Sequence, residues 1–203
     1  MSLELINTAS LTTAVVIGAT AIAAIVQLRH MRAGNQSSAL LSIERLFDES
    51  DNISARDVVR YELAAALADP DFRMYLFEYP SRKYSKEIPA EFVRLRRAAA
   101  LVANSYEVFG TLVKNRVVGE VPFIDIYGLT ISGNWHLLEA FIAITREGTG
   151  TDSTWENFEY LAARTEIYDE RMPSFYPKGT PRLPPRNPWS SAGGADTTPV
   201  KSS

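Results

Sequence analysis

The sequence predicts an all-α protein: an N-terminal transmembrane helix, a small antiparallel helical bundle and a disordered C-terminal tail. Three observations favour this fold class. The 24 residues from Leu5 to Leu28 carry no charge. Apolar residues then recur at helical spacings of three and four, and no strand-length alternating pattern competes with them. The resulting domains are an anchor at 1–32, a helical domain at 33–172 and a tail at 173–203.

Composition excludes several classes of protein. The chain has 203 residues and no cysteine, which excludes a disulfide framework, a thiolate nucleophile and a cysteine-ligated metal. Its 21 basic and 24 acidic residues argue against a nucleic-acid partner. A mean hydropathy of -0.09 excludes a protein with many membrane spans.

The uncharged segment predicts a single membrane span over about residues 8–28, because about 20 apolar residues cross the hydrocarbon core. Glu4 precedes this segment, and Arg29, His30 and Arg32 follow it. The positive-inside rule therefore places the N-terminus outside and the helical domain in the cytoplasm, at the inner (plasma) membrane. A cleaved signal peptide, which needs a basic region before the apolar run, and a buried core helix are the alternatives.

Small residues within the span suggest a second partner besides the lipid bilayer. Ser10, Ala14, Gly18 and Ala21 fall near one helical face, and small residues at this spacing let two membrane helices approach closely. This stripe predicts a homo-oligomer formed through the span. The alternative is that an alanine-rich helix produces such spacings by chance.

Helical periodicity also organises the first part of the bundle. A first helix is expected over 36–49. Ser54 with Asp57 three residues later resembles a capping box that opens a second helix. That helix stops before Pro70, since the residue preceding proline avoids the helical region. Residues 71–88 are expected to be irregular or short-helical.

The strongest helix opens at Pro89 and stops at Gly119. Its stripe repeats without interruption at Phe92, Leu95, Ala99, Val102, Tyr106, Phe109 and Val113. A connector at 121–124, for which one short helical turn is the alternative, leads to a helix over 132–147, which Gly148 ends.

The last helix and the tail follow. Ser153 with Glu156 predicts a capping box for the last helix, and Pro173 closes it. Seven of the 11 prolines fall in 173–203, where few large aliphatic residues could offset the entropy of ordering. Residues 181–186 have the spacing of a polyproline ligand, but a plain solvated tail is the favoured interpretation.

Few residues suggest chemistry. His136 and Glu139 could share a helical face, but a bundle metal site needs further ligands from other helices. Glu107 lies beside the strongest apolar stripe, and Arg146 is a plausible partner for it, in a pair that would specify packing. Glu107, Arg146 and His136 are therefore the candidate binding residues. We predict no catalytic residue, no metal site and no cofactor.

Three segments carry a family resemblance: Ala103-Asn104-Ser105-Tyr106-Glu107, the Trp135 helix that ends in Arg146, and Phe158-Glu159-Tyr160-Leu161-Ala162. With the N-terminal span, they resemble a bacterial family of small single-span membrane proteins known only as a domain of unknown function, over roughly residues 8–170. The resemblance implies a location and a helical fold, and it assigns no catalytic residue.

Two functions are consistent with these patterns. The first is a membrane-anchored interaction or regulatory module that binds an unidentified protein partner. The alternative is a membrane-tethered hydrolase or ligand sensor that uses Glu107, Asp125 and His136. A polar pocket where these three groups meet would favour the alternative, whereas a groove or an exposed apolar patch would favour the interaction module.

Overall fold

The computed structural model describes residues 3–171 and 174–183, without the side chains of residues 3–12, 14, 15, 32 and 33. All regular secondary structure in that part of the chain is α-helical, which confirms the all-α part of the predicted fold class. Its seven helices are α1 (Leu3–Asp48), α2 (Ser50–Tyr61), α3 (Leu63–Leu67), α4 (Pro70–Glu78), α5 (Ala90–Lys114), α6 (Glu120–Thr149) and α7 (Glu156–Arg171).

The chain divides into two units, Met1–Pro173 and Ser174–Ser203, and all seven helices belong to the first. In the described part of the second unit, the Tyr176 hydroxyl donates to the Pro181 carbonyl over 3.0 Å. The Arg182 guanidinium lies 4.5 Å from the centre of the Tyr176 ring. Most of the predicted disordered tail, including residues 184–186 of the proline-rich motif, lies outside the described residues.

Helix α1 is one continuous helix of 46 residues, which at 1.5 Å per residue extends about 70 Å. The sequence predicts two helices here, a span ending near Leu28 and a bundle helix over 36–49. That division is wrong because residues 29–35 contain no proline, and one glycine, Gly34, costs a helix only about 1 kcal/mol. Ile43 and Phe47, near the end of α1, are buried in the bundle.

Over the residues that the structure describes, no helix combines the length and the apolar character that crossing a membrane requires. The predicted span over residues 8–28 therefore gains no support from the structure. In the predicted association stripe, the side chains of Ser10 and Ala14 lie outside the described residues. Gly18 and Ala21 are exposed.

Helix α2 begins at Ser50, so the predicted capping box of Ser54 and Asp57 is wrong and both residues lie inside the helix. The end of α1 is held instead by side chains from α2. The Asn52 amide donates to the Leu46 carbonyl over 2.8 Å, and Arg56 donates to the Phe47 carbonyl over 2.8 Å. These bonds satisfy carbonyls that the last turn of a helix leaves without partners.

Pro70 begins a helix as well as ending one. It occupies the first turn of α4, where its missing N–H costs nothing, and the Asp69 carboxylate accepts from the Asp71 N–H over 2.8 Å. Helix α4 is thus the short helix that the sequence allowed within 71–88. Helix α5 begins directly after Pro89, as predicted.

The predicted boundaries between α5 and α6 are wrong. Helix α5 ends at Lys114, and Gly119 caps the start of α6. The predicted connector at 121–124 belongs to α6, because Pro122 occupies the first turn, where backbone N–H groups have no partner in the helix. Helix α6 continues past Gly148 and is capped by Gly150, whose φ is 69°.

Aromatic side chains from α1, α5 and α7 meet in the centre of the bundle. Phe47 of α1 contacts Tyr106 and Phe109 of α5, with ring centres 5.8 and 4.9 Å apart. Phe158 of α7 stacks on Tyr106 at 4.7 Å. The predicted stripe of α5 therefore does face the core, since Leu95, Ala99, Val102, Tyr106, Phe109 and Val113 are all buried.

Tyr106 should make the bundle sensitive to alkaline pH. Burial raises the pKa of its hydroxyl above the usual value of 10.0, and that oxygen accepts a hydrogen bond of 3.1 Å from the Asn134 amide. As the pH rises through 10, Tyr106 ionises in the unfolded chain but stays neutral in the folded one. The free energy of unfolding should then fall by up to about 1.4 kcal/mol per pH unit from this group alone.

Urea denaturation between pH 8 and pH 11 measures this effect. The Tyr106→Phe variant should lose part of the alkaline decrease, whereas Tyr61→Phe should retain all of it because Tyr61 is 73% exposed. Identical pH profiles for the wild-type protein and Tyr106→Phe would contradict the prediction.

Candidate functional site

The three segments that carry the family resemblance meet at the start of α7. Glu107 comes from α5, Arg146 from the last turn of α6, and both bind the segment 154–159. We call residues 150–158 the α6–α7 junction. Two of the three candidate residues therefore lie at one place in the fold.

Glu107 caps helix α7 from another helix. Its Oε2 accepts from the backbone N–H groups of Asn157 and Phe158, each over 3.0 Å, and its Oε1 accepts from the Asn157 amide over 2.7 Å. A helix begins with N–H groups that lack partners within it, and a negative charge there also interacts favourably with the helix dipole. A carboxylate of α5 thus does what a capping residue normally does locally.

The predicted capping box of Ser153 and Glu156 at the start of α7 is wrong. A capping box from Ser153 requires Glu156 to be the third helical residue, but Glu156 is the first. The Ser153 hydroxyl instead bonds the Thr151 hydroxyl over 2.8 Å. Trp155 immediately precedes α7, and its carbonyl accepts from the Glu159 N–H over 3.2 Å.

Gly110 permits the close contact between α5 and the junction. A Cβ atom at this position would lie 2.0 Å from the backbone oxygen of Asn157 and 2.5 Å from its carbonyl carbon. Such distances are impossible for a real side chain, so only glycine allows the two helices to approach this closely. Because Gly110 lies one turn after Glu107, it brings the Glu107 carboxylate within reach of the α7 N–H groups.

Arg146 binds the other side of the junction. Its Nε donates to the Thr154 carbonyl over 2.9 Å, and its Nη1 forms an ion pair with Glu159 at 2.8 Å. Its Nη2 is buried without a hydrogen-bond partner. Glu107 and Arg146 therefore do not form the pair that the sequence suggested, and each instead binds the segment between them.

His136 lies away from this junction. Its side chain is 60% exposed and lies 3.9 Å from the Glu139 carboxylate. Asp125 is exposed on the same helix, eleven residues earlier, which corresponds to about 16 Å along the axis. With Glu107 engaged by α7, the three groups proposed for a hydrolase do not meet in one pocket. Among the described residues, no group of three or more His, Asp or Glu side chains could hold a metal ion.

An apolar cleft adjoins the junction. It has a volume of about 210 Å³, and we call it the Trp155 cleft. It is lined by Leu76, Tyr79, Pro80, Arg96, Ala100, Phe141, Thr145, Thr154 and Trp155. The lining side chains come from α4 and the two residues after it, from α5, from α6 and from Thr154 and Trp155 of the α6–α7 junction, so the junction forms one wall.

Sequence reasoning missed Asn104, Trp155 and Arg96 as residues of this region. The Trp155 indole N–H donates to the Asn104 amide oxygen over 2.8 Å. Asn104 and Glu107 lie three residues apart beside the apolar stripe of α5, and that spacing of two polar groups was the available signal. Nothing local distinguished Arg96 from Arg94 and Arg97.

Comparison with known proteins decides the family. The family described as a domain of unknown function (DUF4760) matches residues 14–165. The chain belongs to this family. The DUF4760 match ends inside α7 and includes all three segments that meet at the α6–α7 junction. No curated protein and no solved structure matches the chain.

Proposed function

We propose that this DUF4760 protein is a membrane-anchored helical module that binds and regulates a partner protein. The anchor is the N-terminal part of α1, as a single span of the inner (plasma) membrane of a bacterial cell, with the N-terminus outside and the bundle in the cytoplasm. One observation carries this proposal. From Val16 to Leu28 the uncharged part of α1 exposes its large apolar side chains, whereas Ile43 and Phe47 near the end of the same helix are buried in the bundle.

The exposed side chains include Val16, Ile17, Ile22, Ile25, Val26 and Leu28, each about half exposed or more. Burying apolar surface is worth about 25 cal/mol per Å², and a contiguous apolar surface of this kind on a soluble chain normally has a partner. A lipid bilayer would cover all faces of the helix at once. The basic residues Arg29 and His30 follow the apolar run, where lipid headgroups would lie.

The interaction role is supported by a second apolar surface, on the bundle. Ile126 and Leu129 of α6 are exposed, Leu129 to 88%, and their spacing of three residues places them in a short stripe on one helical face. A partner helix could pack along this stripe. With Glu107, Asp125 and His136 separated, a binding surface has more support than a hydrolytic site.

Membrane association is tested by washing cell membranes with alkaline carbonate and following the full-length protein. We expect the wild-type protein to remain in the membrane pellet. Ile22→Arg with Ile25→Arg should move it to the supernatant, because each arginine in a span costs about 3 kcal/mol. The control is Leu41→Arg with Ile126→Arg, which adds the same charge at exposed apolar positions near or within the bundle and should stay in the pellet.

The outcomes separate the alternatives. Wild-type protein recovered in the soluble fraction without detergent would remove the anchor. Release of both double variants would assign the effect to charge rather than to the apolar segment. The orientation is checked by adding protease to cells whose outer surface is opened, since a cytoplasmic bundle should be protected until the inner membrane is broken.

A further inference from the structure

The Trp155 cleft has the size and the lining of a small-ligand site. An apolar cavity of about 150 Å³ can admit a benzene ring, and this cleft measures about 210 Å³. Leu76, Phe141 and Trp155 provide apolar walls. Ligand sites typically combine such walls with a few fixed polar groups, and here one lining residue carries a charge.

That charged residue is Arg96, and its guanidinium is held in place. Its Nε donates to the Tyr75 hydroxyl over 3.2 Å, and its central carbon lies 3.8 Å from the centre of the Tyr79 ring. Among the described residues, neither of its Nη atoms has a hydrogen-bond or ion-pair partner. A fixed guanidinium with two unused donor groups matches the geometry of a carboxylate.

A second lining residue, Trp155, is also fixed before any ligand arrives. Trp155 has a φ of 56°, a conformation that bulky residues rarely adopt and that the surrounding contacts must enforce. Its indole is held by Asn104 and lies 5.4 Å from the Phe141 ring, centre to centre. A ligand would therefore enter a cleft whose aromatic walls need little reordering, which reduces the entropic cost of binding.

We propose that the Trp155 cleft binds a small carboxylate with an apolar body of one ring or a short chain. The apolar body lies against Leu76, Phe141 and Trp155, and the carboxylate accepts hydrogen bonds from the Nη groups of Arg96. This inference goes beyond the membrane-anchored interaction module, and it stands if that function fails. Because Thr154 and Trp155 of the α6–α7 junction form one wall, occupation of the cleft would also stabilise that junction.

The test uses phenylacetate and 2-phenylethanol, which share a shape but differ in charge. Each is titrated into the full chain in a neutral detergent, with the free ligand concentration measured in the same sample. The indole N–H resonance of Trp155 reports binding, and that of Trp135, which packs on Phe158, is the reference. We expect a saturable shift with phenylacetate at a concentration at least about ten-fold lower than with 2-phenylethanol.

Variants assign the preference to its residue. Arg96→Gln should bring the two ligands to similar affinities, whereas Arg97→Gln removes the same charge from an exposed neighbour and should preserve the preference. Ala100→Leu or Thr145→Leu, which fill the cleft, should abolish binding of both ligands while the Trp135 resonance stays in place. The proposal is overturned by equal affinities in the wild-type protein, by a preference that survives in Arg96→Gln, or by its equal loss in Arg97→Gln.

Discussion

Replacing Gly110 with alanine is expected to lower the free energy of unfolding by about 3 kcal/mol or more. The new Cβ would lie 2.0 Å from the backbone oxygen of Asn157, and backbone atoms cannot move aside as a flexible side chain can. Helices α5 and α7 must therefore separate, and separation also weakens the bonds from Glu107 to α7. Urea denaturation monitored by circular dichroism measures the loss.

Gly133→Ala is the matched control, since Gly133 also lies inside a long helix. A Cβ at this position meets no atom within 4 Å, so the higher helix propensity of alanine should raise stability by up to about 1 kcal/mol. The two glycine-to-alanine changes should thus have opposite signs. Equal changes in stability for the two variants would mean that the contact between α5 and α7 does not require a glycine at position 110.

Removal of the Glu107 carboxylate should have the second large effect. We expect Glu107→Ala to cost about 2–3 kcal/mol, because it leaves two backbone N–H groups and one amide without their charged acceptor. Glu107→Gln keeps one acceptor oxygen and should cost less. Hydrogen exchange of the Asn157 and Phe158 amides should accelerate in both variants, which places the damage at the start of α7.

Controls for Glu107 come from α7 and from α6. Glu166→Ala removes an exposed glutamate and should change stability by less than about 0.5 kcal/mol. Arg146→Gln should be destabilising alone but less so in the Glu107→Ala background, because both residues hold the same segment. Strictly additive losses would contradict the shared-junction geometry, and an unaltered stability in Glu107→Ala would contradict the cap itself.

The sequence was sufficient for the fold class and for the buried face of α5. Side chains three and four positions apart share one side of a helix whatever surrounds it, so the stripe from Leu95 to Val113 could be assigned locally. The helix boundaries were harder to predict from the sequence. Gly119 begins α6 instead of ending α5, and Pro122 lies inside a helix, because glycine and proline are each tolerated at more than one helix position.

At the candidate site, too, the sequence predicted some features and not others. Glu107 and Arg146 could be recognised as unusual, since each is a charged residue beside an apolar stripe or at a helix end. Their partners could not be named, because the choice depends on which element packs opposite each residue. The Trp155 cleft could not be predicted from the sequence either, because its nine lining residues are spread over four parts of the chain.

The sequence by itself therefore determined that the bundle is helical and which helix faces are apolar, through the spacing of apolar residues. Its composition also showed that residues 5–28 carry no charge. Only the tertiary structure decided that a carboxylate of α5 caps α7, that Gly110 is required for it, and that Arg96 faces an apolar cleft. The physical reason is the range of the interactions. Helix periodicity is encoded within a few residues, whereas a cap supplied by another helix depends on contacts between residues about 50 positions apart.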